Sequence, residues 1–162
     1  MDIELMVGDE IPEFKLTHMT GDGPAPITTT ELFSGKKVVL FALPGAFTPV
    51  CSGQHLPGYL SNADAIKAKG VDTIACLSVN DAFVMDAWGK SLGVGDNIVM
   101  LADGNAEFTK HLKLDLDASG FGMGVRSQRY SMVIDDRVVK YLNIEEGTVL
   151  DVSSAETILG QL

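Results

Sequence analysis

The sequence predicts an α/β domain of three layers, a central mixed β-sheet flanked by helices, and three observations carry that prediction. Residues 37–43 and 71–79 are β-branched, almost continuously apolar runs, the composition of strands covered on both faces. Stretches with helical spacing of apolar residues separate and follow these runs. Near the C-terminus, residues 130–134 and 138–143 read as a strand pair with a capped helix behind it. Strands that alternate with helices and close in a hairpin and helix pack as helices on both faces of one sheet.

In chain order, residues 1–16 read as an irregular or edge-strand opening, because Pro12 limits regular pairing. Residues 19–26, with Gly21, Gly23, Pro24 and Pro26, read as a turn-rich loop, and 28–33 as one helical turn leading into the first central strand. Pro44-Gly45 ends that strand. Thr48-Pro49 then has the signature of a helix start: threonine caps well, and proline suits the first helical position because its missing N–H would be unpaired anyway. Pro57-Gly58 is expected to break or kink this segment, with a second helix over 59–69 that carries Leu60, Ala63 and Ile66 on one face. After the strand at 71–79, Asn80 is the expected cap of a helix over 81–92 whose stripe is Met85, Trp88 and Leu92. A short strand at 98–102 and a short helix at 105–112 follow. A loop containing Gly120, Gly122 and Gly124 leads to the hairpin, with its turn expected at Asp135-Asp136. Ser153 and Glu156 form a capping box for the last helix, where Ala155, Ile158, Leu159 and Leu162 fall at helical spacing. No repeat or linker interrupts the chain, so residues 1–162 read as one domain.

Composition excludes several function classes. No apolar run reaches the roughly 18–20 residues of a membrane span. The opening Met1-Asp2-Ile3-Glu4 is acidic where a secretory signal is basic, so the chain is expected to be cytoplasmic, or organellar if a transit segment has been removed. A formal charge of −10 without a local Lys/Arg cluster disfavours nucleic acid and anionic membranes as partners. The two cysteines, Cys51 and Cys76, are too few for a disulfide scaffold and form no CxxC pair. His18, His55 and His111 are scattered and give a metal little to bind.

Cys51 stands out. With Thr48 as cap and Pro49 as first helical residue, it is third in the helix, where backbone N–H groups are unpaired and the helix field favours negative charge. A thiolate is the nucleophilic form of cysteine, so this position suits a reactive sulfur, although an inert cysteine in a first turn fits the spacing too. Cys76 lies in an apolar strand and reads as a small buried hydrophobe, the alternatives being regulatory oxidation or a slow disulfide with Cys51. A strand cysteine is not expected beside a helix first turn. His55, four residues after Cys51, could share its helix face; Met85 and Trp88 read as core.

The string Pro44-Gly45-Ala46-Phe47-Thr48-Pro49-Val50-Cys51 resembles the active-site signature of the peroxiredoxins. Gly124-Val125-Arg126-Ser127-Gln128-Arg129-Tyr130-Ser131 is similar to the segment that supplies their arginine, with Arg126 taken as the matching position. Ser78-Val79-Asn80-Asp81-Ala82-Phe83-Val84 is similar to a stretch of the atypical (type II) subfamily, and Val152-Ser153-Ser154-Ala155-Glu156 to the tail of plant and bacterial members. The resemblance covers nearly the whole chain. It implies a thioredoxin-like fold and a thiol peroxidase that uses no cofactor and no metal. Cys51 would attack hydrogen peroxide or an alkyl hydroperoxide and become a sulfenic acid. Arg126 would sit beside the sulfur, Thr48 would offer its hydroxyl, Gly45 and Cys51 their backbone N–H groups, and Pro44 would shape the turn. The animal branch carries a resolving cysteine where this chain has Val152, and no cysteine follows Cys76. The resemblance therefore implies a one-cysteine cycle completed by an external thiol, glutathione with glutaredoxin or thioredoxin. It also implies a homodimer, for which the loops around Phe47, Phe83 and Phe121 offer apolar contact surface. The alternative is a peroxide-sensing relay that passes oxidation to a partner; multiple turnover with a small reductant separates the two.

Overall fold

The strands of the computed structural model, which describes residues 4–162, are, in chain order, β1 (Lys15–Thr20), β2 (Gly23–Thr28), β3 (Lys37–Ala42), β4 (Thr73–Ser78), β5 (Val99–Ala102), β6 (Asp115–Asp117), β7 (Val125–Ser127), β8 (Tyr130–Asp135) and β9 (Val138–Ile144). The reading of Met1, Asp2 and Ile3 lies outside the described residues. The helices are α1 (Thr29–Phe33), α2 (Leu56–Ser61), α3 (Ala63–Ala68), α4 (Ala82–Ser91), α5 (Glu107–His111) and α6 (Ala155–Gln161). One sheet runs β2-β1-β5-β4-β3-β8-β9, with β3, β4 and β5 parallel and the outer pairings antiparallel. This is the mixed α/β sheet that the alternation of elements predicts.

The two apolar runs sit at the middle because each must be covered twice. Residues 38–42 of β3 and 74–78 of β4 are buried throughout. Their side chains alternate between two core layers. Val39, Phe41, Ile74 and Cys76 join one layer, with Cys51, Tyr59, Met85, Trp88 and Ile158, whereas Val38, Leu40, Ala75 and Leu77 join the other, with Phe33, Phe108 and Met132. Met85 and Trp88 are thus core, as the helical stripe implies. Full burial of such side chains contributes about 1.5–3 kcal/mol each before entropy is counted.

Several local readings change. Residues 15–28 form an antiparallel hairpin turned at Gly21-Asp22, so most of the turn-rich loop expected over 19–26 is strand. Pro24 and Pro26 fit because β2 is an edge strand whose outer side needs no N–H donors. Pro57 does not break its helix. Pro49 and Val50 are helical, residues Cys51–His55 form a wider π turn, and α2 continues with Pro57 in its first turn. Proline cannot donate to the carbonyl four residues back and crowds it, and a widened turn accommodates both effects. The break comes instead at Asn62, which separates α2 from α3.

The caps also move by one residue. Asp81, in place of Asn80, caps α4 by accepting from the Val84 N–H, and Ser154, in place of Ser153, caps α6 by accepting from Thr157. The β8–β9 turn is Asp136-Arg137, both with positive φ of 46° and 70°, the conformation of a two-residue hairpin turn. The glycine loop contains the small hairpin β6–β7, which pairs Leu116 with Arg126. Each displaced residue has another use, and Asn80 and Ser153 both serve the site below.

Candidate active site

Cys51 lies where the carboxyl end of β3 delivers the chain into a helix. Leu43, Pro44 and Gly45 are buried, and the turn that follows is fastened to the end of β4. Asn80 Oδ1 accepts from the Ala46 N–H at 3.0 Å and from the Ser78 hydroxyl at 2.7 Å, and the Ser78 hydroxyl also lies 3.3 Å from the Leu43 carbonyl oxygen. Phe47 takes φ 64°, a left-handed conformation that costs a non-glycine residue about 1–3 kcal/mol. The clamped turn holds it there. Thr48 starts the helix through its carbonyl, which accepts from the Ser52 N–H at 2.8 Å. Its hydroxyl does not cap the helix; it donates to the Gly45 carbonyl at 2.7 Å.

The Cys51 side chain is buried at 1% exposure, and the group that meets its sulfur is the Arg129 guanidinium, Nη2 to Sγ at 3.3 Å. Arg126 does not supply this contact. Its Nε donates to the Met123 carbonyl at 3.0 Å and its Nη1 to the Val79 carbonyl at 3.4 Å, so it braces the loop beside the turn. A Cβ placed on Gly45 would lie 3.0 Å from Arg126 Nη1 and 3.3 Å from Thr48 Cγ2, so a larger residue there would have to displace these side chains. The placement of a guanidinium at the sulfur is therefore corrected from Arg126 to Arg129.

Sheet register gives the reason. Strand β8 is antiparallel to β3 with Tyr130 opposite Ala42, so the residue just before Tyr130 stands at the end of the sheet from which the Cys51 turn departs. Alternation then decides the face. Tyr130, Met132 and Ile134 point into the layer away from Cys51, and Val133 points into the Cys51 layer, as does Arg129 by the same parity. Arg126 belongs to the separate hairpin β6–β7 and has no such constraint.

Arg129 is itself 2% exposed. Among the described residues its Nε has no hydrogen-bond partner, and its Nη1 meets His55 Nδ1 at 2.9 Å. A buried guanidinium is costly unless its donors are met, and Cys51 Sγ and His55 Nδ1 are the atoms that meet its two terminal nitrogens. His55, 1% exposed, was not expected to hold a site role; its Nε2 lies 3.1 Å from the Ser153 carbonyl oxygen, which also accepts from the Tyr59 hydroxyl at 2.7 Å. Burial first, and then the charge of Arg129, lower the His55 pKa from 6.5 to about 3, so the ring stays neutral. The Ser153 loop is anchored in turn by Glu145, whose Oε2 accepts from the Asp151 and Ser153 N–H groups and the Ser153 hydroxyl at 2.7–2.8 Å. Burial alone would raise that carboxyl, but these hydrogen bonds reverse the effect and hold it below its ordinary value.

Cys76 lies in the same core layer as Cys51. Both thiols are free. Burial first, and then the nearness of Cys51, push the Cys76 thiol well above its usual range, as befits a small hydrophobe. Val152, 40% exposed, lies in the loop whose next residue touches His55. Among the described residues no group of three or more His, Cys, Asp and Glu side chains gathers as metal ligands, and no helix is long and apolar enough to cross a membrane.

The redoxin family model matches residues 6–159 of this chain. The chain is 51% identical to the chloroplastic Peroxiredoxin-2E of Arabidopsis thaliana, over 98% of its own length and 69% of that protein. The chain belongs to the peroxiredoxin family. A crystal structure of reduced Prx3 from Vibrio vulnificus in complex with hydrogen peroxide is 55% identical with a TM-score of 0.93, covering 97% of this chain and 98% of the other. Peroxiredoxin 5 from Alvinella pompejana is 39% identical with a TM-score of 0.83, covering 96% of each chain. As a peroxiredoxin this protein is a thiol-dependent peroxidase with a thioredoxin-like fold. It acts on a peroxide and is reduced by a thiol.

Proposed function

We propose that Cys51 is the nucleophile of the peroxidase reaction, held as a thiolate by Arg129, and that an external thiol completes each cycle. The observation that carries this reading is the 3.3 Å contact between Arg129 Nη2 and Cys51 Sγ, two buried side chains. The sulfur lone pair attacks one peroxide oxygen, an S–O bond forms as the O–O bond breaks, and the leaving oxygen departs as water or an alcohol once protonated. Sulfur is oxidised by two electrons to the sulfenic acid. The Arg129 guanidinium is placed to stabilise the developing negative charge through fixed N–H donors. Thr48 commits its hydroxyl proton to Gly45, which leaves its oxygen lone pairs to receive the O–H of an incoming peroxide. Pro44 and Gly45 form the buried wall of the site, and the Gly45 and Cys51 N–H groups serve the peroxide oxygens.

The sulfenic acid then condenses with a thiol, losing water, and a second thiol releases Cys51 from the mixed disulfide. An outside reductant is favoured by Val152, where the resolving cysteine of the animal branch would stand, and by the deep burial of Cys76. Steady-state turnover with glutathione plus glutaredoxin, run beside thioredoxin plus its reductase, identifies the reductant. Hydrogen peroxide and alkyl hydroperoxides are the substrates, the first supported by the peroxide-bound relative from Vibrio vulnificus. We read residues 1–162 as one domain that works as a homodimer, a reading supported by the exposed rings of Phe47, Phe83 and Phe121. We read the cytoplasm as its compartment, with an organelle as the alternative that the chloroplastic names of two relatives support, and cell fractionation separates the two.

A further inference from the structure

We propose that His55 is a positioning residue for peroxide reduction: by accepting a hydrogen bond from Arg129 at Nδ1 while held at Nε2 by the Ser153 carbonyl, it fixes the guanidinium on the Cys51 sulfur. The inference rests on the reading of Arg129 above and assigns the element that aims it. Arginine can only donate, so Nδ1 must be the acceptor in the 2.9 Å contact. A carbonyl can only accept, so Nε2 must carry the proton in the 3.1 Å contact. The two partners leave one tautomer, and a second proton on the ring would set an N–H against the guanidinium. The low His55 pKa agrees with that exclusion.

The geometry also explains why Arg129 needs an aiming group. Among the described residues its Nε is without a partner, and the ion pairs formed are Lys90–Asp86 and Arg137–Glu10, neither of which involves it. A terminal guanidinium nitrogen on Cys51 and the other on His55 thus define the plane of the fork. The π turn makes this possible, since it begins at Cys51 and ends at His55 and buries both. The hold extends outward. Ser153 is fixed by Glu145, and the Glu145 N–H donates to the Arg129 carbonyl at 2.9 Å, so the same loop pins the arginine backbone and, through His55, its side chain.

Two amides separate positioning from mere packing. In His55→Asn the Oδ1 atom stands near the place of Nδ1 and can still accept from Arg129, while the bond to Ser153 is lost. In His55→Gln the longer amide reaches the place of Nε2 and keeps Ser153, while the acceptor for Arg129 is lost. The measurement is the second-order rate of oxidation of the reduced protein by hydrogen peroxide, with thermal unfolding of each variant alongside. His55→Gln is expected to slow oxidation roughly 10-fold or more, the size expected for loss of a hydrogen bond to a charged group, and His55→Asn, which keeps the acceptor and loses only the Ser153 hold, to be slowed clearly less. A folded His55→Gln protein at the parent rate, or a folded His55→Asn protein as slow as His55→Gln, overturns the proposal. Imidazole nitrogen NMR on the parent protein keeps the test independent of folding: a proton on Nε2 and a bare Nδ1 are expected, and a proton on Nδ1 overturns it. Arg129→Gln is the control for the underlying reading. If it leaves the rate unchanged, that reading fails; if it slows the reaction while His55→Gln does not, only the role of His55 fails.

Discussion

Cys51 sits at 1% exposure with its sulfur 3.3 Å from the Arg129 guanidinium, and the proposed chemistry rests on this buried contact at the residue scale. Cys51→Ser is expected to abolish peroxide turnover, since a hydroxyl there cannot be oxidised to the sulfenic acid; a steady-state peroxidase assay checks it. Cys76→Ser is expected to keep turnover with an external thiol, because Cys76 is wholly buried in β4. Rapid formation of a Cys51–Cys76 disulfide, seen by mass spectrometry after one equivalent of peroxide, would contradict the one-cysteine cycle. The position of Cys51 at a helix start was legible in the sequence because proline, threonine and cysteine stand at fixed spacing. Its arginine was misplaced by three residues. Motif likeness marks a segment, whereas the register of β8 on β3 and the parity of side chains decide which arginine of that segment faces the sulfur.

At the scale of elements, the turn after β3 is held by the end of β4 through Asn80 and Ser78. Asn80→Ala leaves the Ala46 N–H without its acceptor and is expected to cost about 1–3 kcal/mol of stability and to slow peroxide reduction. A lowered urea midpoint at unchanged slope, together with a reduced rate, is the outcome to measure. The sequence marked Asn80 as a helix cap, and capping propensity alone does not distinguish it from Asp81. The turn needed an acceptor and took Asn80; the helix took Asp81. Ser153 and Ser154 divide their duties in the same way, one bound to Glu145 and the other capping α6. Central strands were legible because they are buried on both faces. The hairpin of β1 and β2 was not, since Pro24 and Pro26 signal a loop unless the strand is known to lie at an edge.

At the scale of the whole molecule, buried polar groups tie stability to pH. The unfolded chain protonates His55 below its ordinary 6.5, while the folded protein keeps it neutral down to about 3. The unfolded state therefore binds more protons in that window, so the contribution is full above 6.5 and declines as pH falls toward 3. Glu145, held below its ordinary 4.5, adds a loss at still lower pH as its carboxylate is protonated. Denaturant unfolding from pH 7 to pH 4.5 is expected to show a slope approaching one proton, flattened in His55→Asn. Assembly is open to a simple measurement too. Light scattering is expected to give about twice the 17.3 kDa chain mass across protein concentration, and a value fixed at the chain mass contradicts the dimer.

If Arg129 is the partner of the Cys51 thiolate in peroxide reduction, one comparison of variants shows it most directly. Trp88 Nε1 donates to the Ser52 hydroxyl at 2.9 Å, next to Cys51, so its fluorescence offers a reporter for stopped-flow oxidation by hydrogen peroxide. Arg129→Gln is predicted to lower the second-order rate roughly 100-fold or more, the scale of losing preorganised charge stabilisation. Arg126→Gln is predicted to stay within about threefold of the parent, less than 1 kcal/mol of barrier. The reverse order, with Arg126→Gln slow and Arg129→Gln near the parent rate, would contradict it.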